Sequence, residues 1–187
     1  LGMDTVGIEM IEAPALFISC EDSERELHWR HKHICQQLGV EQAEAANRLH
    51  LISRRGEMGN ELATFTHDGK LTPSPFFDQL QVTVKAIGAR LIVLDNLAHM
   101  FIGNENDRGQ VTQFGNLLNR LAGEANAGVI LLAHPAKSTT GAGADYSGST
   151  AWLNGVRSQF KMDWKRDSDG TILDHDARTV TVQKANY

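Results

Sequence analysis

The chain has 187 residues, 41% of them hydrophobic and 22% charged, with a net charge of −5 and a pI near 5.9. That length suits one domain with a sizeable core, and the acidic balance argues against a dedicated basic nucleic-acid binder while leaving room for a local basic loop. Cys20 and Cys35 are the only two cysteines and no apolar run approaches transmembrane length, so a reduced, soluble, cytoplasmic protein without a membrane partner is expected.

In chain order, Ala15-Leu16-Phe17-Ile18-Ser19-Cys20 reads as a buried strand ending at Glu21-Asp22. Ser23-Glu24-Arg25-Glu26 is a capping box that opens a helix. Leu27, His31, Ile34, Cys35 and Leu38 then fall on one predicted apolar face, and Gly39 closes the helix. Glu41 to Arg48 predicts a short helix and Leu49 to Ser53 a strand. Phe65 to Leu71 predicts a hairpin turned at Asp68-Gly69. Ser74-Pro75 sets an N-cap with proline at the first helical position, followed by the stripe Phe76, Leu80, Val84 and Ile87, ending at Gly88.

Leu91-Ile92-Val93-Leu94 predicts a strand ending at Asp95. A polar loop, Gly103 to Gly109, leads into a long helix carrying Val111, Phe114, Leu117, Leu118, Leu121 and Ala125 as far as Gly128. Val129-Ile130-Leu131-Leu132-Ala133 predicts a strand ending at His134. Lys137 to Ser147 is rich in glycine and hydroxyl residues and reads as a loop. Ser158 to Lys165 and Thr179 to Lys184 alternate around Asp167-Ser168-Asp169-Gly170, which predicts an antiparallel hairpin on the sheet edge. Strands alternating with helices at this spacing imply right-handed crossovers and a mainly parallel α/β sheet flanked by helices.

Three of the apolar runs stop at a chemically capable residue: Glu21, Asp95 and His134. Ligands of open α/β sheets lie beyond the carboxyl ends of the strands. Two carboxylates and an imidazole converging there suit metal and phosphate chemistry. Each also has a plain structural explanation: an acid at a helix start, an aspartate in a turn, a histidine before Pro135.

The ordered set Phe17 to Asp22, Ile92 to Leu97, Gly103 to Asp107, Leu131 to Lys137, Gly148 to Trp152 with Arg157, and Lys184 to Tyr187 resembles a RecA-like ATPase core. More narrowly it resembles the RepA-type hexameric helicases and related AAA-family ATPases of plasmids and phages. The resemblance implies one RecA-like domain over residues 1–187, ATP and Mg²⁺ as cofactors, a homo-oligomeric, hexameric ring, and single-stranded DNA as partner. It implies that Asp95 holds Mg²⁺ through water, that Glu21 polarises the attacking water, and that His134 senses the γ-phosphate. It further implies that Arg157 is an arginine finger reaching a neighbouring subunit, with Lys184 assisting at the nucleotide. Lys137, Ser138, Gly141 and Gly143 occupy the place of a DNA-contacting loop, although plain loop structure explains them equally.

The family's phosphate loop, Gly-x-x-x-x-Gly-Lys-Ser/Thr, does not occur in this sequence. Gly69-Lys70 is followed by Leu71 and falls in the predicted hairpin. The expectation is therefore a fragment lacking an N-terminal strand, phosphate loop and helix of on the order of 30 residues, and inactive alone. A non-hydrolysing DNA-binding or assembly module, or a RecA-like recombination or regulatory ATPase, is the alternative. His28, His31 and His33 do not share one helix face, which argues against a zinc site. Trp152 and Trp164 are expected to pack rather than to stack on bases.

Overall fold

The computed structural model describes residues 11–134 and 151–186. Its elements are β1 (Ala15–Ser19), α1 (Glu24–Leu38), α2 (Gln42–Ala46), β2 (Leu49–Ser53), β3 (Ala63–Phe65), β4 (Leu71–Pro73), α3 (Pro75–Ile87) and β5 (Leu91–Asp95). α4 (Leu97–Met100), α5 (Arg108–Ala125), β6 (Gly128–Leu132), α6 (Ala151–Gly155), β7 (Ser158–Arg166) and β8 (Ile172–Ala185) follow. Four strands form a parallel sheet in the order β2-β1-β5-β6. This is the mainly parallel α/β architecture that the alternating runs predict.

Local signals act where the sequence places them. Ser23 Oγ accepts from the Glu26 backbone N–H while the Glu26 carboxylate accepts from the Ser23 backbone N–H, completing the capping box. The Ser23 backbone N–H and hydroxyl, both donating to the Glu26 carboxylate and helped by the nearby Arg55, hold that carboxyl below its ordinary range. Gly39 and Gly88 close their helices in the left-handed conformation, at φ 65° and 64°. Ser74 caps α3, with its Oγ accepting from the Phe77 N–H. The long helix ends earlier than its apolar pattern suggests. Asn126, at φ 49°, caps it, and Gly128 already belongs to β6.

Among the described residues the sheet's two faces are unequally covered. Leu16, Ile18 and Cys20 of the β1 segment and Ile92 and Leu94 of β5 join one core with Phe76, Phe77, Leu80 and Val84 of α3 and Val111, Phe114, Leu117 and Leu121 of α5. On α1 only Leu27 and Cys35 of the predicted stripe are buried, and Ile34 and Leu38 are exposed. The reason is that α1 packs on α2 and the edge strand β2, a narrower support than its apolar face.

An aromatic chain ties the α5 side together. Phe101 meets Phe65, Phe114 and Trp152 edge-on at centroid distances of 5.7, 5.0 and 5.2 Å. Trp152 thus packs, as expected, and Trp164 lies under the Arg178 guanidinium at 3.2 Å. Phe114 is fully buried and meets both Phe101 and Trp152. Phe114→Ala is expected to cost about 3–5 kcal/mol and to lower Tm by roughly 10 °C, which thermal unfolding followed by circular dichroism would measure. A shift below about 2 °C would show that the ring cluster does not bear on stability.

β7 and β8 pair antiparallel around the Asp167–Gly170 turn, as a sheet of their own. The hairpin forms where the turn residues predict it. Among the described residues its ladder is separate from the edges of the four-stranded sheet.

Candidate active site

β1 and β2 run outward on one side of the sheet, and β5 and β6 on the other. The strand order therefore reverses between β1 and β5. Such a reversal opens a crevice beyond the carboxyl ends, because neighbouring crossovers leave towards opposite faces. Glu21 follows β1, Asn96 follows β5, and His134 follows β6. The crevice collects all three.

One hydroxyl fixes the geometry of its floor. Ser19 and Asp95 are register partners in adjacent parallel strands, so their side chains leave the same face. Ser19 Oγ donates to Asp95 Oδ2 at 2.8 Å and accepts from the backbone N–H of Glu21 at 3.2 Å and of Asp22 at 3.0 Å. The turn carrying Glu21 is thereby tied to the Asp95 carboxylate. Asp22 supports the same turn from below. Its carboxylate pairs with Arg30, and its carbonyl accepts from Ser53 Oγ at 2.8 Å.

The Glu21 carboxylate lies across the crevice. Oε1 accepts from Asn96 Nδ2 at 2.5 Å, and both oxygens stand 3.3 Å from His134 Nε2. The carboxylate and the imidazole are solvent-accessible, while Asp95 is half-buried and Asn96 fully buried. An accessible carboxylate tied through Ser19 to a half-buried one can hold an ion at one group and orient water at the other. Cys20, between Ser19 and Glu21, takes no comparable role. Burial pushes its thiol up to about 11 despite the nearby Arg54, so it stays protonated at neutral pH.

Residues 1–140 match the family described as AAA domain, which is most of the 187-residue chain. The chain belongs to the AAA-domain family of ATPases. In this AAA-type domain Glu21, Asp95 and His134 all fall inside the matched residues, and Arg157 and Lys184 lie beyond them. Membership implies use of a nucleotide and usually of Mg²⁺. The donor set fits that ion. Among the described residues no group of three or more His, Cys, Asp or Glu side chains forms a metal cage. Mg²⁺ is commonly held by one or two carboxylates together with water and substrate phosphates, and Asp95 offers such a carboxylate at a strand end.

The remaining predicted residues are placed as follows. Arg157 directly precedes β7, and the ammonium of Lys184, near the end of β8, donates to the Val156 carbonyl at 2.9 Å. These two therefore share the base of the hairpin, whereas Glu21, Asp95 and His134 share the sheet crevice. Lys137, Ser138, Gly141 and Gly143 lie outside the described residues. His33 Nδ1 faces the Trp29 carbonyl at 2.7 Å and its ring stacks on Trp29, while His31 Nδ1 faces Gln42. His31 and His33 thus have separate partners.

A cleft of about 820 Å³ opens at the opposite, amino-terminal end of the strands, lined among others by Pro14, Arg90, Ala122 and Asn126. The one acid in its lining, Glu12, is paired with Arg48, and the cleft holds none of Glu21, Asp95 and His134. No helix among the described residues is long and apolar enough to cross a membrane.

Sequence reasoning missed Ser19. Its signal was present: aligning Phe17-Ile18-Ser19 with Val93-Leu94-Asp95 puts a hydroxyl opposite the carboxylate, two residues before Glu21.

Proposed function

We propose that this AAA-type domain is the ATP-hydrolysing core of a ring-shaped motor, acting as a hexameric DNA helicase of the RepA type in plasmid or phage replication. Residues 1–187 serve as one RecA-like core in this reading. The observation that carries the hydrolytic part is the convergence of Glu21, Asn96 and His134 at the strand-order reversal, with Glu21 hydrogen-bonded to Asn96 and Ser19 bonded to Asp95. The ring, the single-stranded DNA and the replicative role rest on the ordered sequence resemblance.

In this mechanism Glu21 orients the attacking water and accepts its proton, a role worth roughly 10²–10⁴ in rate. His134, just beyond the end of β6, donates to the terminal phosphate of ATP. Asp95 holds Mg²⁺, which when bound neutralises charge on the phosphates. Ser19 fixes Asp95 and the Glu21 turn at one separation. Arg157 and Lys184 serve the nucleotide site of an adjacent subunit, and Lys137, Ser138, Gly141 and Gly143 touch the DNA backbone.

The test is ATP hydrolysis by the complete gene product, measured with and without Mg²⁺ and single-stranded DNA. Turnover is expected to require Mg²⁺, to rise with DNA, and to fall roughly 10²-fold or more in Asp95→Asn. Undiminished hydrolysis in Asp95→Asn would overturn the assignment of the metal site. ATP binding without hydrolysis would favour a non-hydrolysing assembly module.

A further inference from the structure

Asn96 stands at the N-cap position of α4, and asparagine is among the best capping residues. Yet its side chain makes no capping bond. Nδ2 is directed across the strand-order reversal to Glu21 Oε1 at 2.5 Å. The residue is only 1% exposed, and its Oδ1 is a buried acceptor with no partner among the described residues. A buried amide that leaves one end unsatisfied loses free energy. A local capping bond would have been the cheaper arrangement. The side chain is better explained by what it does to Glu21 than by what it does for α4.

The chemistry explains why an amide is needed. Glu21 is solvent-accessible, and a free glutamate explores several rotamers. A neutral N–H donor fixes one carboxylate oxygen without supplying a competing charge or a proton acceptor. The second oxygen, Oε2, keeps its 3.3 Å approach to His134 Nε2. A carboxylate at position 96 would repel Glu21, and an aliphatic side chain would release it.

We infer that Asn96 is a positioning residue, which holds the Glu21 carboxylate at the crevice through its amide N–H so that Glu21 meets the attacking water. The inference rests on the proposed role of Glu21 as proton acceptor, and Asn96 acts through that carboxylate. A misdirected catalytic group loses about 10²-fold in rate for displacements near 1 Å, so the effect should be large in kcat and small in nucleotide affinity.

The experiment is a double-mutant cycle in the complete gene product, reading single-turnover ATP hydrolysis and the Kd of a fluorescent ATP analogue. Asn96→Ala is expected to lower the rate about 10- to 100-fold with Kd changed less than about twofold. In the Glu21→Gln background the same substitution should change the rate less than about twofold, because the group it positions no longer accepts a proton. An equal loss in both backgrounds means that Asn96 supports the fold only, and overturns the inference. Full activity in Asn96→Ala alongside a slow Glu21→Gln overturns it too, leaving the role of Glu21 standing. Full activity in Glu21→Gln removes both. Should Asn96→Ala fail to fold, Asn96→Leu fills a similar volume without the donor or a new charge and is read against the same outcomes.

Discussion

Glu21→Gln in the complete gene product should bind ATP as tightly as the parent and hydrolyse it roughly 10²–10⁴-fold more slowly. The substitution leaves the local geometry nearly intact. An amide oxygen at the same place still accepts from Asn96 Nδ2, which now stands 2.5 Å from Oε1. The turn is held through backbone N–H groups of Glu21 and Asp22 on Ser19 Oγ, which the change does not touch. What disappears is the capacity to take a proton from water as the new bond to phosphorus forms. Loss confined to kcat identifies an interaction made in the transition state, whereas a raised Kd would mark one made on binding. Isothermal titration with a slowly hydrolysed ATP analogue, together with initial rates, separates the two. An unchanged kcat would remove Glu21 from the mechanism, and with it the reading of this crevice as a hydrolytic site.

The fold was legible because its signals are local and mutually consistent. The Ser23 capping box, Ser74-Pro75, Gly39 and Gly88 mark helix ends by their own conformational needs. The apolar runs at Leu16, Ile92 and Val129 fix the strands that carry the candidate residues. What the pattern could not give is which faces are covered. Ile34 and Leu38 have the spacing of core residues, but their burial depends on what α1 lies against. The site was legible in part for a related reason. Glu21, Asp95 and His134 are visible as polar stops after apolar runs. Ser19 and the direction of the Asn96 side chain depend on register across strands 76 and 75 residues apart in sequence. Such pairing is set by the tertiary structure, and one sequence carries no direct record of it.

Arg157 bears on assembly and catalysis together. Under the proposed ring, Arg157→Ala subunits should fold, bind ATP and associate, yet hydrolyse about 10³- to 10⁵-fold more slowly. The guanidinium stabilises charge that builds on the terminal phosphate only during transfer, so ground-state binding should be spared. Arg157 is exposed and lies at the base of the β7–β8 hairpin, directly before β7. A contact between unlike surfaces of successive subunits would bring such a residue to a neighbour's crevice and close into a ring. Mixing Arg157→Ala with Glu21→Gln subunits then has a distinctive consequence. Where an Arg157→Ala subunit receives its finger from a Glu21→Gln neighbour, the composite site is intact. Random assembly at equal amounts gives about one interface in four of that kind. ATPase activity across a titration of the two variants should therefore rise to a maximum near equal mixing. An arginine acting within its own subunit would give no rise, because every mixed site would keep the defect of the chain that forms it. An arginine without a catalytic role would leave the single variant at full rate. A flat titration at the single-variant level would end the trans assignment while leaving the Glu21 crevice untouched, since the Glu21→Gln result stands on its own measurement.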